Sequence, residues 1–181
     1  NLGGQAVVLG TFSKILTPGL RLGFMVVPPS LRATVDVARQ ATDLCGSMLL
    51  QHATVDLLRH FDLTTHLGRV RAEYRLRRDR MLGAMERHWP TDFTVTPPAG
   101  GMFLWASGPR ALDTQSLLPR AIDDGVAFAP GSSFFVEPGG EHHLRLNFTG
   151  STPERIDEGM RRLGALLRQA LSPNSRPPPH Q

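Results

Sequence analysis

The sequence predicts an α/β protein whose two parts are joined by a long helix. Three features indicate this: apolar runs typical of buried strands near the start, helical periodicity over 65–89, and alternating strand-like and helix-like segments from 90 to 171. We therefore assign 1–64 to the end of an α/β domain, 65–89 to one long helix and 90–171 to a small α+β domain. The Pro-rich segment 172–181 is predicted to be a disordered tail.

The composition is that of an ordinary globular protein. Apolar residues make up 40% of the chain and charged residues 20%, which is enough for a core. Cys45 is the only cysteine, so an intrachain disulfide is excluded and a cytoplasmic location is expected. No apolar run approaches the length of about 20 residues that a membrane span requires, so no membrane partner is expected.

Two apolar runs near the start predict buried strands. The first covers 7–9 and is ended by Gly10, and the second covers 22–27 and is closed by Pro28. The chain has no initiator methionine or signal peptide and enters the first strand almost at once. Because a strand buried on both faces needs neighbours on both sides, we expect this chain to be the C-terminal part of a longer polypeptide.

The loop between these strands concentrates reactive and anion-binding groups. Lys14 is the only lysine among 20 basic residues, and lysine, unlike arginine, can lose its proton and attack a carbonyl. Thr11 and Ser13 precede it, and Arg21 follows the turn at Pro18. Hydroxyls and a guanidinium suit a phosphate dianion and the amine suits an aldehyde, so the set fits pyridoxal 5′-phosphate. Two other interpretations stay open here: a genome that replaces lysine by arginine, and polar residues that only cap a turn.

Three helices are predicted between this loop and Pro90. The first covers 30–40 with Ser30 as its N-cap, the second covers 51–61, and the third covers 65–88. The basic residues are densest on the third helix, at Arg69, Arg71, Arg75, Arg77, Arg78 and Arg80. We place them on a solvated face, with their stems over apolar surface. The net charge of +4 leaves a nucleic-acid face as the alternative, but a basic cluster is not a motif and no nucleic-acid partner is expected.

From Pro90 onward the pattern is that of a small sheet with two helices. Strands are predicted over 93–95, 101–105, 126–129 and 144–148. Asp113 is the predicted N-cap of a helix that runs through Ile122. Pro153 lies in the first turn of a final helix that reaches Leu171.

Arg145 lies in a strand that alternates Leu144, Arg145, Leu146 and Asn147. The two leucines are expected to face the core and Arg145 the other side. A planar two-pronged cation in that position suits the α-carboxylate of an amino acid and would orient it. A solvated arginine would satisfy the same alternation.

Other candidates in this part have a structural interpretation. His142 and His143 are neighbours that would point to opposite faces of a strand, so no shared metal is expected. Trp105, Phe134 and Phe135 are candidates to line a substrate pocket, but core packing is the default for aromatic residues and is expected here.

The segments that carry these residues resemble a known family. G-T-F-S-K-x-L-x-P-G-L-R-L-G-F around Lys14, then P-A-G-G-M-F-L-W, P-G-S-x-F and L-R-L-N-F, are similar to fold-type I pyridoxal-phosphate enzymes of the class I/II aminotransferase family. The resemblance implies that Lys14 forms the internal aldimine with pyridoxal 5′-phosphate. It also implies that Thr11, Ser13 and Arg21 bind the cofactor phosphate and that Arg145 binds the substrate α-carboxylate.

The resemblance implies more about the whole protein. It assigns 1–64 to the end of a large domain with a mixed, mostly parallel sheet, and 65–89 to an interdomain helix. The implied activity is transamination between an amino acid and a 2-oxo acid, and the nearest subgroup acts on 2-aminoadipate, kynurenine or other bulky substrates. Family members are homodimers, so the intact protein is expected to dimerise. The groups that contact the pyridine ring lie upstream of the lysine in the family, so this fragment alone is expected to bind cofactor weakly.

Two alternatives remain. The lysine motif is nearly the same in the aminotransferase-like effector domain of winged-helix regulators of the GntR/MocR type, for which a basic winged-helix module at the N-terminus would be decisive. The G-G-M-F-L-W and L-R-L-N-F segments favour the enzyme. The other alternative is a truncated and inactive product.

Overall fold

The computed structural model describes residues 6–172 and divides the chain into two compact units. The first unit ends at Arg69 and the second begins at Val70, so the boundary falls within the long helix. The predicted disordered tail lies outside the described residues from 173 onward. Ser172 is the C-cap residue of the last helix.

Among the described residues, the first unit contains a strand pair, two helices and the start of a third. In chain order they are β1 (Val8–Thr11), a 3₁₀ turn (Pro18–Leu20), β2 (Gly23–Val26), α1 (Pro29–Asp43), α2 (Met48–His60) and the first turns of α3 (Leu63–His88). The second unit contains the rest of α3, then β3 (Thr94–Val95), β4 (Phe103–Ser107), α4 (Thr114–Asp123), β5 (Ala129–Pro130), a 3₁₀ turn (Gly131–Phe134), β6 (His143–Asn147) and α5 (Pro153–Leu171).

β1 and β2 form an antiparallel pair, with Val8 opposite Val26 and Thr11 opposite Gly23. Both strands are exposed: Leu9 is 70% and Val26 58% accessible. The prediction of buried strands is therefore wrong for the described part of the chain, because a two-stranded hairpin leaves both faces open. All the strand pairs in the described residues are antiparallel, so the expected mostly parallel sheet is not found among them.

The helices of the first unit begin earlier than predicted. α1 begins at Pro29 with Pro28 as its N-cap, so the prediction of Ser30 as the cap is wrong. Proline is favoured at the first helical position because its φ already fits and it has no N–H that needs a partner. α2 begins at Met48 rather than at Gln51, because the Ser47 hydroxyl caps the helix by accepting a hydrogen bond from the N–H of Leu50 at 3.4 Å.

The second unit is built on an antiparallel sheet with the strand order β3-β4-β6-β5. β4 begins at Phe103, later than predicted, because Gly101 has φ of +84°, in the left-handed region that strands do not use. β5 begins only at Ala129. The N–H of Val126 instead donates to the carbonyl of Ala121 at 2.8 Å, at the end of α4.

The helix starts predicted in the second unit are confirmed. The Asp113 carboxylate accepts the N–H groups of Gln115 at 3.0 Å and Ser116 at 3.2 Å at the start of α4. The hydroxyl of Ser116 also donates to this carboxylate, and this bond is the main reason that the pKa of Asp113 lies below its usual value. Pro153 is the first residue of α5, and Thr152 is its N-cap.

The apolar core of the described residues lies in the second unit, and its side chains come from 81–167. Leu104, Leu144 and Leu163 are fully buried in it. At the end of α3 the indole N–H of Trp89 donates to the carbonyl of Met160 at 3.2 Å. These contacts join α3, α5 and the covered face of the sheet.

The arginines of α3 are less solvated than predicted. Arg77 donates to the carbonyl of Thr149 and Arg78 to the carbonyl of Pro98, and each of the two arginine side chains is only 23% accessible. Arg80 forms an ion pair with Asp157 in α5, at 2.6 Å. The placement on a solvated face is therefore wrong for Arg77 and Arg78, because backbone acceptors on the second unit lie within their reach. Arg80 stays exposed, with 46% of its side chain accessible.

Candidate active site

The loop after β1 brings two hydroxyls together. The N–H of Ser13 donates to Thr11 Oγ1 at 3.1 Å, and the two hydroxyl oxygens are 3.0 Å apart. Thr11 Oγ1 also lies 3.3 Å from the carbonyl oxygen of Leu22, at the start of the returning strand. The side chain of Thr11 therefore links both sides of the loop, with Ser13 beside it.

Arg21 lies at the other end of the same loop, as the C-cap of the 3₁₀ turn. Its backbone has φ of 49° and ψ of 37°, the left-handed region that is costly for a residue other than glycine. Two donors hold it there: its N–H and its guanidinium both donate to the carbonyl of Pro18, at 3.3 and 3.4 Å. Strained backbone of this kind occurs often at ligand-binding positions.

Lys14 lies between the hydroxyls and Arg21 in the chain and is exposed. Within the described residues its amine makes no hydrogen bond or ion pair, so the nitrogen is accessible to a carbonyl compound. The donor set of this loop is chemically suited to one ligand that carries both a phosphate and an aldehyde, because hydroxyls and a guanidinium bind phosphate and an amine condenses with an aldehyde.

A cavity of about 340 Å³ adjoins this loop in the first unit. Phe12, Arg21 and Leu22 line it from the loop side, and Thr54 and Leu58 line it from α2. Arg21 is thus the predicted site residue that contacts this cavity, whereas Lys14, Thr11 and Ser13 are not part of its lining.

In the second unit, β4 and β6 present one face whose side chains are exposed or half-buried, which we call the open face. Its residues alternate with buried ones: Phe103, Trp105, Ser107, His143, Arg145 and Asn147. Trp105 is directly opposite Arg145, and Ser107 is opposite His143. The predicted alternation at Arg145 is confirmed, since Leu144 is fully buried on the other face.

The guanidinium of Arg145 lies over two aromatic rings. Its Cζ is 4.1 Å from the centroid of the Phe103 ring and 4.3 Å from that of Phe134. Within the described residues it makes no hydrogen bond or ion pair. Its N–H donors therefore have no protein acceptor there and are available to a carboxylate.

Aromatic residues surround this arginine on the open face, and the expectation that they pack in the core is wrong. Phe134 is 45% and Phe135 46% accessible, and both rings lie against Trp105. Trp105 itself follows the strand alternation, which turns it away from the buried Leu104. The same alternation that placed Arg145 would have placed Trp105 on this face.

The sequence analysis did not single out the pair formed by Ser107 and His143. The Ser107 hydroxyl lies 2.7 Å from His143 Nδ1. Partial burial, and secondarily the neighbouring His142, hold the pKa of His143 below its usual value. His142 precedes β6, so strand alternation does not separate the two rings, whose centroids are 4.1 Å apart. In the described residues no group of three or more histidine, cysteine or acidic side chains could hold a metal ion.

Comparison with known proteins identifies the family. Residues 2–163 match the family described as aminotransferase class I and II. Because this match covers most of the chain, the chain belongs to the class I and II aminotransferases.

None of the helices in the described residues is long and apolar enough to cross a membrane.

Individual relatives share this similarity over nearly all of the chain. It is 37% identical over 168 residues to aromatic-amino-acid aminotransferase 1 of Thermococcus litoralis, covering 93% of this chain and 40% of the relative. The crystal structure of LysN, an alpha-aminoadipate aminotransferase from Thermus thermophilus complexed with N-(5′-phosphopyridoxyl)-L-leucine, superposes with a TM-score of 0.86. It is 41% identical, and the match covers 91% of this chain and 42% of that one.

Regulators belong to the same group of relatives. The chain is 35% identical over 175 residues to the HTH-type transcriptional regulator TauR of Rhodobacter capsulatus, covering 92% of this chain and 34% of the regulator. The chain therefore spans about two fifths of the aminotransferases and one third of the regulator.

Proposed function

We propose that the protein is a pyridoxal-phosphate-dependent aminotransferase, which transfers an amino group between an amino acid and a 2-oxo acid. The observation that carries the proposal is the loop with Thr11, Ser13, Lys14 and Arg21, whose donor set suits a phosphate and an aldehyde together. Family membership and the phosphopyridoxyl compound in the Thermus structure support it.

The residues of the loop have separate roles in this proposal. Thr11, Ser13 and Arg21 bind the phosphate of the cofactor, and Lys14 holds its aldehyde carbon. When bound, the cofactor supplies the electron sink that stabilises negative charge at the substrate Cα. With the cofactor in place, the amine of Lys14 would act as the general base toward the proton on the substrate Cα and then as the general acid that gives this proton up.

Arg145 is proposed to bind the α-carboxylate of the substrate. Its free N–H donors and the absence of an acidic partner among the described residues suit a bidentate pair with a carboxylate. The relatives named for aromatic amino acids and alpha-aminoadipate support bulky amino acids of the 2-aminoadipate, kynurenine or aromatic type as substrates.

We further propose that 1–64 is part of a larger cofactor-binding domain, in which β1 and β2 join a mixed, mostly parallel sheet. In this proposal 65–89 is the interdomain helix and 90–171 the small domain. The exposed apolar side chains of the first unit, such as Leu9 and Leu49, support a surface that further structure covers. A homodimer in the cytoplasm belongs to the same proposal.

The proposal is tested by transamination assays of the protein that carries this chain, with L-2-aminoadipate, L-kynurenine or aromatic amino acids as donors and 2-oxoglutarate as acceptor. Lys14→Ala is expected to abolish activity, and Arg145→Ala to raise KM for all donors. If Lys14→Ala transaminates as well as the parent, the proposed mechanism is wrong.

A second candidate function is an effector domain of a winged-helix transcription regulator, which the similarity to TauR favours. Such a domain could bind the same cofactor and amino acid without turnover. A basic winged-helix module encoded upstream in the same reading frame, together with specific DNA binding and no transamination, would decide for the regulator.

A further inference from the structure

The environment of Arg145 assigns a role to two aromatic side chains. We propose that Phe103 and Phe134 are positioning residues that immobilise the guanidinium of Arg145 and leave its N–H donors available to a carboxylate. We call these two residues the aromatic clamp. The inference deepens the proposed function, because it rests on Arg145 as the carboxylate ligand.

The geometry is that of two cation–π contacts on one cation. Cζ of Arg145 is 4.1 Å from one ring centroid and 4.3 Å from the other, well within the distance of about 6 Å at which such contacts are effective. The rings come from different elements: Phe103 begins β4, and Phe134 ends the 3₁₀ turn after β5. Because the two rings belong to different elements, they restrict the movement of the Arg145 side chain more than contacts from its own strand alone would.

The position of Phe134 is itself constrained. Its ring packs edge-on against Trp105, with centroids 5.6 Å apart at 83°. The turn that carries it approaches β6 so closely that a Cβ on the buried Gly131 would lie 2.4 Å from the Cβ of His143. The backbone of the turn is therefore held against β6, and the ring of Phe134 against Trp105.

Immobilisation is relevant to binding because a free arginine loses rotamer freedom when it is fixed by a ligand. Aromatic rings contact a guanidinium through its π-face, whereas a carboxylate binds to its N–H donors. The clamp can thus hold the cation without competing for the donors. Salt bridges would compete, and the described residues place no carboxylate on Arg145.

The inference is tested by NMR on the whole 181-residue chain. The Nε–Hε resonance of Arg145, assigned by its loss in Arg145→Lys, is measured for its heteronuclear NOE and then titrated with 2-oxoglutarate as the carboxylate probe. Phe134→Leu and Phe103→Leu remove one ring each and keep most of the apolar volume. Phe134→Tyr restores the ring.

A matched control is Phe135→Leu. Phe135 is as exposed as its neighbour, 46% against 45%, and also lies against Trp105, but it makes no cation–π contact with Arg145. Each leucine variant of the clamp is expected to lower the NOE of Arg145 and to weaken 2-oxoglutarate binding about threefold, while Phe134→Tyr and Phe135→Leu stay close to the parent.

The outcomes separate this inference from the proposed function. An unchanged NOE in both clamp variants overturns the inference, as does a lowered NOE with undiminished 2-oxoglutarate binding. An equally large decrease of the Arg145 NOE in Phe135→Leu also overturns the inference, because the substitutions would then loosen the open face as a whole. If the parent chain binds no 2-oxoglutarate at Arg145, the carboxylate role in the proposed function fails, whereas immobilisation by the clamp is still decided by the NOE.

Discussion

Arg21 has a backbone conformation that costs free energy for any side chain except glycine. Its φ of 49° lies in the left-handed region, and its guanidinium is one of the predicted phosphate ligands. Natural sequences usually place glycine or asparagine in this region. An arginine there is consistent with a side chain that is retained for binding rather than for folding.

Two substitutions of Arg21 should separate the effect of its strained backbone from the effect of its guanidinium. Arg21→Gly and Arg21→Ala both remove the guanidinium, so both should lose retention of pyridoxal phosphate, but only glycine relieves the strained φ. The amide of Phe12, which donates to Leu22 at 3.1 Å across the loop, should exchange about fivefold more slowly in Arg21→Gly than in Arg21→Ala, as expected for about 1 kcal/mol. Equal exchange rates would show that this backbone is not strained.

His143 gives a pH prediction for the second unit. Its pKa is lowered chiefly by burial, so below the ordinary value of 6.5 the unfolded chain binds this proton more readily than the folded one. The free energy of unfolding should therefore decrease as the pH falls from 6.5 through the lowered pKa, before the carboxylates titrate. Denaturant unfolding at pH 7.5, 6.5 and 5.5 measures the slope.

His143→Asn should flatten that slope. His142→Asn should reduce it only partly, because it removes the second cause, the neighbouring charge, and leaves the burial. A slope between pH 6.5 and 5.5 that is the same in the parent and in His143→Asn would contradict this assignment.

The sequence predicts individual residues well where the residue type itself limits the chemistry. The cap at Asp113 and the side of the strand that Arg145 occupies are found as predicted, because a capping carboxylate and a strand alternation are local signals. The role of the single lysine, Lys14, stays a prediction. Aromatic residues are usually buried, and this tendency predicts that Trp105 lies in the core. The strand alternation of β4 predicts instead that Trp105 lies on the open face, and the structure agrees with the alternation. His143 and Ser107 meet across two strands, and a sequence does not show cross-strand register.

At the scale of elements, the backbone of α5 is in direct contact with the backbone at the end of α3. A Cβ on Gly164 of α5 would lie 2.2 Å from the carbonyl oxygen of His88. The close contact lies beside the buried Trp89, which donates its indole N–H to the carbonyl of Met160. The absence of a side chain at 164 is therefore a packing requirement at this crossing.

Gly164→Ala is expected to destabilise the second unit by about 1–3 kcal/mol, because backbone atoms must move to admit the methyl group. Gly159 lies in the same helix, and a methyl group added there would meet no other described atom within 4 Å, apart from its chain neighbours and the backbone of its own helix. Gly159→Ala should stabilise by about 0.5–1 kcal/mol through helix propensity. Thermal and denaturant unfolding of both variants give the comparison, and a Gly164→Ala variant as stable as Gly159→Ala would exclude the close packing.

Element type is easier to predict than element bounds. The final helix is predicted to its last residue, Leu171, because Pro153 marks its start and its apolar stripe is regular. The strands of the second unit begin one to three residues away from their predicted starts. At β4 the reason is that Gly101 leaves the extended region, which a pattern of apolar residues does not reveal.

At the scale of the whole molecule, the two units differ in how much they bury. The apolar core of the described residues comes from 81–167, while β1, β2 and α1 of the first unit contribute no buried apolar side chain to it. Apolar periodicity indicates which side chains are suited to burial but not what covers them. The burial predicted for the first strands is therefore wrong, although the strands themselves are found.

The assignment of loop 11–21 to a cofactor with a phosphate and an aldehyde is most directly tested by selective labelling of the chain. The chain is incubated with pyridoxal phosphate or with pyridoxal, reduced with borohydride, digested and analysed by mass spectrometry. Lys14 is the only lysine, so its labelled peptide is unambiguous. Arg21→Ala is the matched variant, since it removes a proposed phosphate ligand and keeps the amine.

Pyridoxal phosphate should label Lys14 at concentrations at least about tenfold lower than pyridoxal, because charge-assisted hydrogen bonds to the phosphate favour it. Arg21→Ala should reduce this preference. Equal labelling of Lys14 by the two aldehydes in the parent chain would contradict the assignment of this loop to the cofactor.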